Sequence, residues 1–231
     1  MNEVYIAHIR EDGETQTVKD HLSETAELAE KFAAEFFSGT HAFYCGLYHD
    51  AGKYSQDFQR RIRGGSDRVD HSTAGAQELN KIKRIDKLLA YCVAGHHAGL
   101  PDSGAITDEN NATLSSRLKK EVSDYSAFFT YMDARQKADN SLNLPLTPPP
   151  RGMEGFAVSF WIRMLFSCLV DADYLNTEEF MLEKQRELSV SLKTLCDKVL
   201  LKVDKFLNSA MDKKSFATQH EPQRSFTLLP K

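Results

Sequence analysis

The residues best suited to chemistry are a neighbouring histidine and aspartate, His49 and Asp50, in the segment CGLYHDAGKYSQDFQ. Three more of the chain's eight histidines lie in two later segments, His71 in DHSTAGA, and His96 and His97 in AGHHAGL. Burying imidazoles and carboxylates without partners costs free energy, so their clustering needs a reason. Small residues flank each segment and would leave room for ions and a substrate. The pattern predicts a metal site with more than one ion.

Asp50 is the best candidate to bridge two ions, because a carboxylate can bind two cations and an imidazole cannot. It lies with His49 near the end of an apolar helical segment, where one ion can reach both side chains. At least one histidine of the pair His96-His97 is predicted to be a ligand. His71 alone could equally be a capping or surface residue, and the neighbouring segments favour a ligand role.

Two further segments could complete the site. His21 begins the first amphipathic helix and, taken alone, would be interpreted as a surface residue. The apolar run SFWIRMLFSCLVDADYLNTE places Asp171 and Asp173 near the end of a buried helix. Carboxylates in such a place need partners, which a metal would supply. The remaining histidines are predicted to be structural or to lie on the surface: His8, His41 and His220.

The elements that must position these residues are predicted to be helices. Apolar residues recur at three- and four-residue spacing from Val18 to Phe37, which is typical of an amphipathic helix. Strand signals are weak, so we predict a single all-α domain over residues 1–210 with a tail or linker at 211–231. Further helical segments are expected at 43–50, 71–79, 85–97, 112–137, 156–174 and 178–207.

Composition excludes some classes of function. The net charge of −4 gives no general basic surface of the kind found in a dedicated DNA-binding module, although basic residues cluster at 60–63 and 81–87. The four cysteines form no CxxC pair, which argues against a zinc ribbon, and three of them are predicted to be buried thiols. We find no secretion signal and no apolar run near the roughly 18 residues of a membrane span. The expected location is the cytoplasm, without membrane contact.

The motifs in their order resemble those of the HD phosphohydrolase superfamily. The segments LYHDAGKYSQDFQ, DHSTAGA, GHHAGLPD and LVDADYLNTE resemble more closely the HD nuclease domain of the CRISPR-associated helicase-nuclease of type I systems, over roughly residues 5–180. The resemblance implies a helical domain that binds two transition-metal ions. It also implies cleavage of single-stranded DNA after recruitment to a DNA-bound CRISPR surveillance complex of the Cascade type. The chain has no GxxxxGK[ST] loop, so we expect a stand-alone or excised domain whose helicase acts in cis or in trans.

The resemblance also assigns roles to residues. It implies one ion held by His21, His49, Asp50 and Asp173, and a second held by Asp50, His71, His96 and His97. Asp173 is preferred to Asp171 because Ala172-Asp173-Tyr174 matches the family's setting, while Asp171 stays open as a ligand or a supporting residue. Lys53 matches the family's lysine after the His-Asp pair and would add positive charge near the phosphate. Asp50 and Lys53 are therefore the predicted catalytic residues.

Nitrogen and carboxylate ligands without thiolate suit Mn, Fe, Co or Ni, with Mg as a further option. Two such ions can activate a water molecule and hold the scissile phosphate. Tyr54 and Phe58 either stack on bases or belong to the core. Two other functions stay open: a phosphohydrolase of small or cyclic nucleotides, and a recruitment module with weak activity.

Overall fold

The computed structural model describes residues 3–81, 86–109, 112–131, 142–146, 148–182 and 200–203. These residues are mostly helical, and the sheet they form has two strands, which confirms the prediction of an all-α fold. The chain divides into one unit over Met1–Gln185 and a second over Arg186–Lys231. In the second unit the described residues, 200–203, are helical. The predicted boundary between residues 210 and 211 lies outside the described residues.

A short β-hairpin precedes the first helix. Strand β1 (Ile6–Ile9) pairs antiparallel with β2 (Thr15–Thr17), and His8 lies opposite Gln16 in the register. The sequence analysis missed the hairpin, because strands of four and three residues are too short for alternation to be visible.

Helices α1 (Val18–Ala34) and α2 (Gly39–Tyr48) pack closely against each other. The Thr17 hydroxyl caps α1 by accepting a hydrogen bond from the Asp20 amide at 3.0 Å. Gly46 lies where the two helices cross, and a Cβ atom there would come within 2.6 Å of the Ala26 Cα atom. The predicted helix over 18–37 is confirmed except for its last turn.

The next elements bring the chain back to the end of α2. A turn of 3₁₀ helix (Ala51–Tyr54) leads into α3 (Gln56–Ile62), followed by α4 (Ser72–Leu79) and α5 (Asp86–Gly95). Helix α2 ends at Tyr48 and α5 ends at Gly95, so both functional pairs, 49–50 and 96–97, lie just beyond helix ends rather than inside helices. The helices thus end two residues before the predicted ends at 50 and 97.

The predicted helix over 112–137 was also wrong. The structure has two short helices, α6 (Leu114–Arg117) and α7 (Ala127–Tyr131), separated by non-helical chain. Residues 132–137 of that prediction, and 183–199 of the one over 178–207, lie outside the described residues.

Helix α8 (Glu154–Leu182) packs against α1, α2 and α5 and completes the core. It places Trp161, Leu165, Leu169 and Ala172 in the interior. By length and composition alone α8 could cross a membrane, contrary to the sequence analysis, although this test is also met by core helices of soluble proteins. Three cysteines, Cys45, Cys92 and Cys168, are buried free thiols, as predicted for them.

Candidate metal centre

Asp50 lies at the middle of the cluster of histidines, in the turn between α2 and the 3₁₀ helix. Its side chain is 1% exposed, and its two oxygens face different groups of ligands. Oδ2 lies 3.5 Å from His21 Nε2 and 3.4 Å from His49 Nε2. Oδ1 lies 3.5 Å from His71 Nε2 and 3.3 Å from His96 Nε2. The carboxylate therefore has the geometry of a bridge between two sites.

The first group, which we call the α1 half, consists of His21, His49 and Asp173. The two imidazoles are fully buried, and Asp173 is partly exposed. Asp173 Oδ1 lies 3.4 Å from His21 Nε2 and 3.5 Å from His49 Nε2. Asp171, the alternative carboxylate, is exposed on another side of α8. The structure thus brings Asp173, and not Asp171, to the cluster.

The second group, the α5 half, consists of His71, His96 and His97, with Asp50 as its carboxylate. His71 occupies the N-cap position of α4 without capping it through its side chain. His96 is buried, whereas the side chain of His97 is 52% exposed. His97 therefore lies at the open side of the centre, where a substrate can approach.

Backbone and side-chain acceptors fix how the imidazoles present their nitrogens. His49 Nδ1 donates to the Gly46 carbonyl at 2.7 Å, and His96 Nδ1 donates to the Val93 carbonyl at 2.8 Å. His21 Nδ1 donates to Asn176 Oδ1 at 2.7 Å. With the proton on Nδ1, the neutral ring turns its Nε2 lone pair towards the centre. Outer hydrogen bonds of this kind are typical of metal-binding histidines.

Short distances between imidazole nitrogens and buried atoms without hydrogen bonds show that the cluster fits a pair of cations. His21 Nε2 and His49 Nε2 are 3.1 Å apart, and His71 Nε2 and His97 Nε2 are 2.7 Å apart. Two lone pairs at such distances repel unless a proton or a cation lies between them. Among the described residues, no group gives Asp50 Oδ1 or His96 Nε2 a hydrogen bond. Buried polar atoms without partners are rare, and binding of an ion would satisfy these two.

In the metal-free α1 half, a proton takes the place of a cation. Burial opposes charge on His49, but the carboxylates of Asp50 and Asp173 outweigh it and raise its pKa to about 10. Burial, together with the charges of Lys53 and His49, lowers the pKa of His21 to about 4. His49 Nε2 is then the donor and His21 Nε2 the acceptor across their 3.1 Å contact. A cation that binds here must displace this proton.

Lys53, the predicted second catalytic residue, is buried rather than solvated. Its Nζ lies 2.7 Å from Asp50 Oδ2 and donates to His8 Nε2 at 3.2 Å. It also lies over the Phe58 ring, 5.7 Å from the ring centroid. Its position next to Asp50 places positive charge at the bridging carboxylate.

Sequence reasoning missed three supporting residues. His8, assigned a structural or surface role, lies edge-on to His21 and contacts Lys53. Asn176 follows Asp173 by one helical turn and accepts from His21. Asp70 caps α4 by accepting from Thr73 N at 3.1 Å. The three- and four-residue spacing to a ligand could have revealed Asn176, but pairing of His8 with the site depends on tertiary structure.

The small residues around the motifs allow close backbone contacts rather than leaving space for a ligand. A Cβ on Gly52 would meet the backbone of His71, and one on Gly75 would overlap the Tyr48 carbonyl oxygen. Gly52 N also donates to the His71 carbonyl at 3.1 Å. The interpretation that small neighbours make room for ions was wrong at these positions, because the glycines bring the backbone segments 48–52 and 71–75 together.

The aromatic residues and the basic cluster that follow the His-Asp pair differ in exposure, and the Arg60 side chain is 69% exposed. Tyr54 and Phe58 are buried, at 2% and 6% exposure, and therefore belong to the core. Of the basic cluster at 60–63, Arg60 pairs with Asp57, and Arg63 donates to the Gln59 carbonyl at 3.0 Å. His41, predicted to be structural or on the surface, is a buried histidine that packs against Trp161. His220 lies outside the described residues.

Comparison with known proteins assigns the chain to a family. The HD domain family matches residues 18–137, just over half of the 231-residue chain. The match includes every histidine of both halves and Asp50, and it ends before Asp173. A search of curated proteins finds no match. The chain therefore belongs to the HD domain family, whose members are metal-dependent phosphohydrolases.

Proposed function

We propose that this protein is a metal-dependent nuclease that cleaves single-stranded DNA at a two-metal HD site, in the interference step of a type I CRISPR system. The observation that supports two ions is the division of the Asp50 carboxylate, with Oδ2 facing the α1 half and Oδ1 facing the α5 half. The resemblance of four motifs in order supports the nuclease and the CRISPR context. The partners proposed are single-stranded DNA, a Cascade-type surveillance complex and a helicase in cis or in trans, in the cytoplasm.

The donor set favours particular ions. Five imidazoles and two carboxylates converge without a thiolate, which suits Mn, Fe, Co or Ni better than Ca or a structural Zn. His21, His49, Asp50 and Asp173 would hold one ion, and Asp50, His71, His96 and His97 the other. Bound there, the ions would activate water and neutralise charge on the phosphate.

The protein's own residues supply orientation and access. Buried oxygens that accept from Nδ1 keep the Nε2 lone pairs directed inward, so the ligands need little rearrangement when an ion binds. The exposed side chain of His97 and the partly exposed Asp173 mark the side from which a phosphodiester enters. Lys53 stays buried beside Asp50 Oδ2, so in this arrangement it balances the charge of the bridging carboxylate rather than reaching into solvent.

The test is cleavage of circular single-stranded DNA with Mn, Co, Ni or Mg, because a circle has no ends for an exonuclease. Asp173→Asn should lose activity, while Asp171→Asn, the same change on an exposed carboxylate of the same helix, should retain it. Asp50→Ala should be inactive. If the wild type binds metal but hydrolyses only mononucleotides or cyclic dinucleotides, the small-nucleotide phosphohydrolase replaces this proposal. If it binds metal and hydrolyses neither class, the recruitment module does.

A further inference from the structure

A network of side chains outside the ligands connects the β-hairpin to the α1 half. Gln16 is its centre and is only 7% exposed. Its Oε1 accepts from His8 Nδ1 at 2.9 Å, and its Nε2 donates to Asn176 Oδ1 at 3.0 Å and to Glu24 Oε2 at 3.2 Å. One amide therefore touches two chains of contacts that each end at the metal centre.

The first chain leads to the bridging carboxylate. Because His8 Nδ1–H donates a hydrogen bond to Gln16 Oε1, the Nε2 lone pair of His8 is free to accept from Lys53 Nζ. This contact holds Lys53 next to Asp50 Oδ2, the oxygen that faces the α1 half. Oδ1 is left directed towards the α5 half.

The second chain leads to His21. Asn176 Nδ2 donates to Glu24 Oε2 at 2.6 Å, so the glutamate fixes which end of the amide is the acceptor. Asn176 Oδ1 then accepts from His21 Nδ1, which sets the tautomer with its lone pair on Nε2. Glu24 lies one turn from His21 on α1, and Asn176 lies one turn from Asp173 on α8.

The two halves differ in the groups that accept hydrogen bonds from the histidine Nδ1 atoms. In the α5 half the described acceptors of Nδ1 protons are backbone carbonyls, those of Val69 for His71 and Val93 for His96. In the α1 half His49 also uses a carbonyl, whereas His21 uses a side chain. A substitution in the network can therefore disturb one half and leave the other intact.

We infer that Gln16 is a positioning residue that sets the affinity of the α1-half ion selectively. The inference rests on the proposed function only for the metal centre that it uses, and not for the DNA substrate. Loss of a direct hydrogen-bonding partner of a metal ligand typically weakens metal binding by about 10–100-fold. Gln16 acts one step further out, through Asn176, so the loss should lie at the lower end of this range, about 10-fold. We expect a loss of this size for one ion and none for the other.

The experiment is metal titration of the whole chain with Co²⁺, followed by calorimetry and by the visible absorption of the bound ion. Wild type should bind two ions tightly, and Gln16→Leu should bind one tightly and the other about 10-fold more weakly. Adding His97→Ala to Gln16→Leu should remove the remaining tight ion. Gln77→Leu is the matched control, since Gln77 Nε2 also donates hydrogen bonds, to Lys120 O at 2.7 Å and Arg117 O at 3.3 Å, outside the network.

Glu24→Gln tests the same network at an exposed position that should not affect folding, and it should weaken the same ion by a smaller factor. The inference is overturned if Gln16→Leu and Glu24→Gln bind both ions as wild type does. It is also overturned if Gln16→Leu weakens both ions equally, or if Gln77→Leu gives the same loss. Wild type that binds no divalent ion would instead refute the metal centre and with it the proposed function.

Discussion

The proton on His49 in the metal-free protein gives the sharpest test of the geometry. His49 Nε2 lies 3.1 Å from His21 Nε2, and the Asp50 and Asp173 carboxylates lie within 3.5 Å of it. With a pKa of about 10, His49 is an imidazolium at neutral pH, whereas His21, with a pKa of about 4, is neutral. We expect one histidine proton to be released when the α1 half binds its ion.

The magnitude follows from the distance between the pKa and the working pH. At pH 7 the proton is held about three pH units below its pKa, so its displacement costs about 4 kcal/mol of binding free energy. Affinity for this ion should therefore rise about tenfold per pH unit between pH 7 and 8.5. His71 and His97 have lowered pKa values because of burial, so the α5 half should show no such dependence in this range.

Two measurements check this expectation. Nitrogen-15 NMR of the metal-free protein should show one imidazolium that persists at pH 8 and becomes neutral in the presence of metal. Calorimetry in buffers of different ionisation enthalpy should count close to one proton released for the α1-half ion. Asp173→Asn removes one of the two carboxylates and should lower the pKa of His49, whereas Asp171→Asn should not. A neutral His49 at pH 8 in the metal-free wild type would refute the reasoning.

The remaining predictions concern individual side chains. Asp50→Asn should lose both ions, and it should destabilise the metal-free protein by about 3–5 kcal/mol because it leaves buried Lys53 without its counter-charge. Adding Lys53→Met should restore the stability but not metal binding. Recovery of metal binding in the double variant would contradict the bridging role of Asp50. His97→Ala should keep the thermal stability of the metal-free protein, because the His97 side chain is 52% exposed, and it should bind one ion. Two tightly bound ions in this variant would exclude His97 as a ligand. Gly75→Ala should lower the free energy of unfolding by about 3 kcal/mol or more, whereas Gly155→Ala, where a Cβ meets nothing, should be neutral or stabilising. Denaturant unfolding compares the two variants. Equal stability would show that the structure relaxes the contact between the new Cβ and the Tyr48 carbonyl oxygen.

The metal-free protein should also have a stability optimum in pH. The raised pKa of His49 contributes stability that is complete below about pH 6.5, the ordinary histidine value, and is lost as the pH rises towards 10. Histidines whose pKa is lowered by burial, such as His21, cost stability as the pH falls below about 6.5. Denaturant unfolding of the metal-stripped protein should give a maximum near pH 6.5, and a steady rise in stability to pH 9 would contradict the His49 assignment.

The sequence by itself determined the ligand types and their grouping. The His-Asp pair and the double histidine indicated a metal site, and the structure brings all seven predicted ligands within one cluster. Helical periodicity predicted α1 and the core of α8, because an amphipathic pattern depends only on neighbours along the chain.

Tertiary structure decided the features that depend on contacts distant in the chain. The selection of Asp173 over Asp171 is a matter of which face of α8 packs against α1, and the division of the Asp50 oxygens depends on where five separate elements meet. The contact of His8 with Lys53 joins residues 45 positions apart, and no local pattern predicts it. The glycines were visible in the sequence, but only the packing showed that they bring backbones together, because a missing Cβ has meaning only beside the atom it would meet.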